Sequence, residues 1–178
     1  MLPRFKPPPG WCRALLLMLL SGPIHADTAA EDNVKAGFIL NFAKFTEWPA
    51  AALAGGELRV CGLGAQPLSG KLSQLQGRQV QGREIKVRAP ARPEEWRDCH
   101  VLFVPAGDEA RVDALLRTLG QTAVLTVSDS AEFTQAGGMI GLKQRAGRIR
   151  FDINLAAARR VGLGLSSHLL KLADEVMQ

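Results

Sequence analysis

The sequence contains few of the residues on which metal and catalytic sites depend. It has three histidines and three cysteines among 178 residues, and aromatic residues make up 6%. No His-x-x-x-His or Cys-x-x-Cys spacing occurs, which argues against a metal site, and no motif calls for a cofactor. We expect His100, at the entrance of a strand, to have a structural, hydrogen-bonded role. Because no convergent set of acid, base and nucleophile is recognisable, we predict that the protein is not an enzyme.

Long hydrophobic runs are also missing. The longest run, Ala14–Leu20, is too short to cross a bilayer as a permanent anchor. It follows a basic start and precedes the helix-breaking Ser21-Gly22-Pro23, which is the layout of a secretory signal peptide. We predict cleavage between Ala26 and Asp27, with residues 27–178 forming one exported domain. The alternative is an uncleaved amphipathic leader.

The excess of positive charge belongs largely to this leader. Its removal takes three of the 22 basic residues and none of the 17 acidic ones, so a net charge of +2 remains. A local basic cluster persists downstream, but it lacks the repeated aromatic residues of nucleic-acid-binding grooves, so we expect no nucleic-acid partner. A solvated face or a rim for an acidic partner is the better interpretation. The cluster consists of Arg148, Arg150, Arg159 and Arg160.

Cysteine usage agrees with export. Once Cys12 leaves with the leader, Cys61 and Cys99 form an even pair, which in an oxidising compartment is a disulfide candidate. Such a ring would add roughly 4 kcal/mol of stability in the chain-entropy model. Two buried free thiols are the alternative. If their strands were in-register parallel neighbours, the two residues would lie at opposite ends, so offset or twist must bring the Cα atoms within about 7 Å.

Apolar periodicity predicts alternating helices and strands. Asp32 or Asn33 is predicted to begin a helix that ends near Trp48, before Pro49. The alternation that follows is typical of βαβ units, so we predict an α/β fold in a single domain. Its sheet should be open and mostly parallel, with an antiparallel hairpin at one end and helices on both faces. The apolar face of the first helix carries Val34, Phe38, Ile39, Phe42 and Phe45. The other predicted elements are strands at 57–63, 84–88, 100–104 and 123–127, helices at 68–75, 108–119, 131–135, 155–160 and 167–176, and a hairpin of 139–143 with 148–153.

Two glycine-containing motifs have structural explanations. Gly62-x-Gly64 lacks the third glycine of a dinucleotide-binding loop, because position 67 is Pro67. Gly164-Leu165-Ser166 lacks the closing glycine of a nucleophile elbow, so we expect Ser166 or Ser167 to cap the last helix.

The segment around Gly137-Gly138 suggests a contact surface. Two glycines before an apolar strand allow a sharp turn, and methionine suits an adaptable interface. We predict a partner-binding surface with an apolar centre and an arginine edge, as contact sites have. The alternative places the apolar residues in the core. The predicted surface comprises Met139, Ile140, Ile153, Arg148 and Arg150.

Several blocks, in order and at separate places along the chain, together cover nearly all of residues 33–173. They are Val34–Pro49, Leu58–Cys61, the Gly77/Gly82-Arg83 segment, Cys99–Phe103, Leu125–Asp129, Phe133–Ile140, Arg150–Asn154 and Leu163–Leu172. These blocks resemble the YfiR family, and their number and order make the resemblance specific.

The resemblance implies a periplasmic α/β protein without catalytic activity. Characterised family members repress an inner-membrane diguanylate cyclase by binding its periplasmic sensor portion, which lowers cyclic-di-GMP production and biofilm growth. An outer-membrane lipoprotein can sequester the repressor, and a homodimer is a further expected assembly. The pair Cys61 and Cys99 matches a family cysteine pair. Some members carry a second pair in the hairpin region, which is absent from residues 139–153 here.

A second functional hypothesis remains beside the repressor. Open α/β sheets usually bind ligands at the carboxyl ends of their strands, so a periplasmic small-molecule sensor or carrier is the alternative. A gene for a membrane diguanylate cyclase nearby would favour the repressor, whereas a transporter operon would favour the carrier.

Overall fold

The computed structural model describes residues 25–64, 67–107 and 109–178. The predicted leader therefore lies outside the described residues except for its last two positions. The helices are α1 (His25–Lys44), α2 (Pro67–Lys71), α3 (Glu109–Leu119), α4 (Leu155–Arg160) and α5 (Ser167–Leu172), and short 3-10 turns lie at Ala50–Leu53, Leu72–Leu75 and Pro93–Asp98. The strands are β1 (Thr46–Glu47), β2 (Glu57–Gly62), β3 (Gln79–Val80), β4 (Arg83–Arg88), β5 (Val101–Val104), β6 (Leu125–Ser128), β7 (Ile140–Arg145), β8 (Arg148–Asn154), β9 (Gly164–Leu165) and β10 (Glu175–Met177).

Eight strands form one sheet in the order β10-β8-β7-β6-β5-β2-β4-β3. Five neighbouring pairs are parallel, and the β7–β8 and β3–β4 pairs are antiparallel. β1 and β9 form a separate antiparallel pair. The predicted fold class, a mostly parallel sheet with a hairpin near one end and helices on both faces, is confirmed.

The central strands are buried on both faces, because helices cover each side of the sheet. Val101 and Phe103 of β5 belong to the core beneath α1, whereas Leu102 and Val104 pack in a smaller core beneath α3. The alternation of side chains along a strand therefore divides one apolar run between two cores. This explains why β5 has no polar face in the sequence.

α1 covers one face of the sheet and is longer than predicted. Its inner side chains pack against β8, where the rings of Phe42 and Phe151 meet edge to face with centroids 5.0 Å apart. The helix begins at His25 rather than at residue 32 or 33. Ala29, Ala30 and Glu31 are good helix formers, and Glu31 makes an i,i+4 ion pair with Lys35 at 2.8 Å.

Two predicted helical segments are wrong. Residues 131–135 form turns, in which the Thr134 carbonyl accepts a hydrogen bond from the Asn154 side-chain amide at 2.9 Å instead of continuing a helix. The final helix ends at Leu172, and residues 175–177 form β10. The Asp174 N–H donates to the Phe151 carbonyl at 2.9 Å, so the chain joins the edge of β8. Tertiary pairing overrides helical propensity in both places.

Gly138 is required by a close approach to an aromatic ring. A Cβ atom built at this position would lie 2.2 Å from Phe133, whose side chain is fully buried. The preceding Gly137 has φ of +97°, a conformation that favours glycine. The turn into β7 is therefore packed too tightly for any side chain.

We predict that Gly138→Ala lowers the free energy of unfolding by about 1–3 kcal/mol through overpacking. Chemical denaturation measures this change. Gly37→Ala is the control, because the new Cβ meets no atom within 4 Å and the site lies in α1. The control should leave stability unchanged or raise it slightly. Equal stability of Gly138→Ala and the unmodified protein would contradict the prediction.

Candidate functional site

The predicted cysteine pair is joined in a disulfide. Cys61 lies in β2, Cys99 lies just before β5, and their Cα atoms are 6.0 Å apart. The register pairs Cys61 with Leu102, so Cys99 precedes the position opposite Cys61 by three residues. The turn at Pro93–Asp98 compensates for this offset by bringing Cys99 onto the sheet face that carries Cys61 and Leu102.

We predict that reduction of this disulfide destabilises the fold without removing a catalytic group. The ring closes over 38 residues, so its loss should cost about 4 kcal/mol. For a domain of this size, that corresponds to a fall in Tm on the order of 10 °C. Thermal unfolding with and without reductant tests this, and a Cys61→Ala/Cys99→Ala variant should no longer respond to reductant. An unchanged Tm after verified reduction would refute the prediction.

His100 holds the start of β5 on the opposite face of the sheet. Its Nδ1 accepts the Arg59 backbone N–H at 2.9 Å, so the ring proton lies on Nε2, which donates to the Ala52 carbonyl at 2.9 Å. The Trp48 indole N–H donates to the His100 carbonyl at 3.3 Å. His100 therefore has the structural role that we expected: its ring links the turn at Ala50–Leu53 to β2 and to the start of β5.

The environment of His100 favours the neutral ring. Burial lowers the pKa of His100 below its usual value, and the Arg59 charge lowers it further, whereas the hydrogen bond to Ala52 partly opposes this. His100 binds a proton less readily in the folded protein than in the unfolded chain. Its contribution to the free energy of unfolding is therefore fully present above the pKa of an unfolded histidine and is lost as the pH falls below that pKa.

We predict that the free energy of unfolding falls between about pH 7 and pH 5.5, the range in which an unfolded histidine becomes protonated. Denaturant titrations at several pH values measure the slope. His100→Asn retains an acceptor for the Arg59 N–H but cannot titrate, so it should be less stable and should lose most of the slope. His168→Asn, at an exposed histidine, is the matched control and should keep it. The same slope in the unmodified protein and in His100→Asn would contradict this assignment.

The apolar centre predicted for the partner-binding surface is wrong. Ile140 and Ile153 are 0% exposed and Met139 is 6% exposed. Ile140 and Ile153 face each other across the β7–β8 ladder and pack in the core beneath α1. The sequence pattern left this core placement open as the alternative, because the helix that covers these residues lies far earlier in the chain.

The arginine edge of that prediction does lie at the surface. Arg148 and Arg150 are exposed near the β7–β8 turn, together with Arg145. Arg145 and Arg150 share Asp174, at 3.4 Å and 3.9 Å respectively. These two contacts leave the hairpin tip with an excess of positive charge.

Apolar side chains from α1 and β8 adjoin these arginines. Val34 is 50% exposed and lines an open groove of about 410 Å³ with Ile149 and Arg148. A second groove of about 450 Å³ on the other side of the tip is lined by Arg145, Arg148 and Arg150. We call these five residues the hairpin surface. Sequence reasoning assigned Val34 to the apolar face of the first helix, but Val34, in the middle of α1, is half exposed beside the hairpin.

The carboxyl ends of β5 and β6, where the alternative hypothesis places a ligand, are covered by α1. The Lys35 ammonium donates to Asp129 at 2.9 Å, and the second Asp129 oxygen accepts the Ala106 N–H at 2.8 Å. Burial lowers the pKa of Lys35, but the hydrogen bonds and charges of Glu31 and Asp129 outweigh this effect and raise it. The space left between Asp32, Asp129 and their neighbours is about 100 Å³, well below a usual ligand site of about 300–1,000 Å³.

Other candidate groups have structural roles in the described residues. Ser166 caps α5 by accepting the Leu169 N–H at 3.2 Å, as one of the two predicted alternatives has it. Among residues 25–64, 67–107 and 109–178, no group of three or more potential ligands could hold a metal ion. Within the same residues, no helix is both long enough and apolar enough to cross a membrane.

Comparison with known proteins identifies one matching family. A family model described as YfiR/HmsC-like matches residues 32–174, which include every strand of the sheet except β10. Among curated proteins, none matches the chain.

Two solved structures share the fold. A conserved domain protein from Vibrio cholerae O1 biovar El Tor N16961 matches with a TM-score of 0.53 and 10% identity, covering 82% of this chain and 60% of that one. An ABC domain in complex with L-Trp from Streptococcus pneumonia matches with a TM-score of 0.51 and 11% identity, covering 78% and 60%. The chain thus corresponds to 60% of the length of each, and at these identities the likeness concerns the fold alone.

Proposed function

The chain belongs to the YfiR/HmsC-like family, and from this premise we propose that it is a periplasmic negative regulator of an inner-membrane diguanylate cyclase. Membership of a regulatory rather than catalytic family points to control of diguanylate cyclase signalling. In the proposal, the protein binds the periplasmic sensor portion of the cyclase and lowers cyclic-di-GMP production. The observation that carries it is the family match over residues 32–174.

Repression by binding alone requires a difference in affinity between two states of the cyclase. A ligand that binds the active and inactive states equally shifts nothing, and a shift from 1:99 to 99:1 needs about 10⁴-fold preference. The regulator must therefore recognise a surface that differs between those states. An outer-membrane lipoprotein that competes for the regulator would relieve repression by removing the free protein.

The hairpin surface supports such a contact better than the buried residues first considered. It joins the exposed Val34 and the partly buried Ile149 to Arg148, which has no ion pair in the described part of the chain. An apolar centre with an arginine edge is typical of protein contact sites. We therefore propose an acidic segment of the cyclase sensor portion as its occupant.

The alternative of a small-molecule carrier has less support. The fold is shared with an ABC domain solved in complex with L-Trp, so an exported binding protein is compatible with the architecture. However, α1 occupies most of the crevice at the carboxyl ends of β5 and β6, and about 100 Å³ remains there. This favours the regulator.

We predict that Arg148→Glu weakens binding to the cyclase sensor portion by at least about tenfold, because a charge reversal at a contact opposes an acidic partner. The sensor portion of the membrane cyclase encoded nearest to this gene is titrated against each variant, and cellular cyclic-di-GMP is measured in parallel. Tm should not change, since the side chain is exposed and makes no ion pair among the described residues.

Arg78→Glu is the matched control. Arg78 is exposed and precedes β3 at the opposite end of the sheet, so the same charge change should leave binding intact. Equal loss of binding in both variants, or full binding by Arg148→Glu, would reject the hairpin surface. Absence of binding by the unmodified protein to any membrane cyclase of its source would reject the proposed function itself.

A further inference from the structure

The amino-terminal half of α1 is held less firmly than the other half. No side chain among residues 29–35 is buried, whereas Ile39, Phe42 and Ala43 are 0% exposed. Tertiary packing of apolar side chains is the main source of helix stability in proteins, so residues 29–35 gain little of it. We call residues 29–35 the strap, because they lie over the crevice at the carboxyl ends of β5 and β6 without entering the core.

Polar contacts of Lys35 hold the strap against the sheet. The Lys35 ammonium lies 2.9 Å from Asp129, which follows β6, and 2.8 Å from Glu31 within the strap. The Lys35 side chain is 13% exposed, so solvent screens these contacts only in part. Asp32 adds a nearby carboxylate: burial raises the pKa of Asp32, and the charge of Lys35 partly opposes this. One ammonium therefore keeps three carboxylates together.

A glycine lies between the strap and the buried part of the helix. Gly37 is exposed in the interior of α1, and a Cβ atom built there would meet no atom outside the local helix backbone within 4 Å. Packing therefore does not require glycine at this position. Glycine weakens a helix interior relative to alanine, because it loses more conformational freedom on folding. Helical order is thus lost most easily near the point where core burial begins.

We propose that the strap opens as a unit about Gly37 and acts as a lid on the crevice at the carboxyl ends of β5 and β6. Because β4 and β5 lie on opposite sides of β2, this crevice is close to the point where open α/β sheets usually bind ligands. Opening would uncover Leu68 and Phe103, which line the crevice and are 3% and 0% exposed in the closed form. It would also carry Val34 away from the hairpin surface, and this second consequence rests on the proposed function.

Native-state hydrogen exchange of the purified protein, measured by NMR at several denaturant concentrations, tests this proposal. We expect the amides of residues 32–36 to share one protection factor, at least about hundredfold below that of residues 40–43, with a step at Gly37. Exchange at residues 32–36 should depend little on denaturant, because a local opening exposes little surface. Protection that declines gradually along the helix would indicate ordinary fraying of its end, and equal protection of both segments would indicate one rigid helix. Either result would overturn the proposal.

Matched substitutions test the Lys35 contact and the hinge. Lys35→Met keeps the helix propensity but removes the ammonium, so it should lower the protection of residues 32–36 at least about tenfold. Lys44→Met, at the exposed end of α1, is the control and should leave that protection unchanged. Gly37→Ala should raise it about two- to fivefold. Gly70→Ala is the second control, because Gly70 lies in α2 and its new Cβ also meets no atom outside the local helix backbone within 4 Å.

Unchanged protection in Lys35→Met or in Gly37→Ala, or an equal effect of the matched control, would also overturn the proposal. The exchange measurements need no cyclase, so they are independent of the proposed function. Absence of cyclase binding would reject the proposed function and leave the expected exchange rates as they are. Gradual or uniform protection along α1, with intact cyclase binding, would reject the strap alone.

Discussion

Burial of one sheet face beneath α1 is the constraint on which the rest of the molecule depends. The sheet is apolar on both sides, and α1 packs its aromatic residues against the hairpin strands at one face. Because one helix spans this face, its position also determines which surfaces of the molecule remain accessible. It closes the crevice at the carboxyl ends through Lys35 and Asp129, and it leaves Val34 exposed beside the hairpin. The position of α1 over the core thus decides that the crevice at the carboxyl ends is closed and that the surface beside the hairpin is accessible.

A disulfide and a set of hydrogen bonds both stabilise the start of β5. Cys99 packs among the residues beneath α3, whereas the His100 ring contacts Trp48 and the turn at Ala50–Leu53, so the two neighbours engage different parts of the molecule. The disulfide joins Cys99 to β2 beneath α3, while the imidazole of His100 ties the turn at Ala50–Leu53 to the backbone of Arg59. One contact responds to reductant and the other to protons. A reductant therefore leaves the His100 hydrogen bonds in place, and acid leaves the disulfide in place, so β5 keeps one of its two contacts under either condition.

The parts of the fold that the sequence predicts are those governed by local pattern. The strand at 101–104 is a short apolar run, and its identity follows without reference to other segments. Burial of Ile140 and Ile153 was not predictable in the same way, because alternation along a strand shows that one face is apolar but not whether another element covers it. β10, a three-residue strand, is defined by its pairing with β8 rather than by its own composition.

Sheet order gives the disulfide a consequence for the covalent integrity of the chain. β2 and β5 are neighbours, yet the chain between them passes through β3 and β4 at the far edge before it returns. The bridge closes this excursion into a ring, which contains the exposed turn at Gln81-Gly82. A protease that cuts once within the ring yields two fragments that stay joined through sulfur. A nicked molecule would migrate at full size until its disulfide is reduced, and its sheet edge would remain tethered to the strands it packs against.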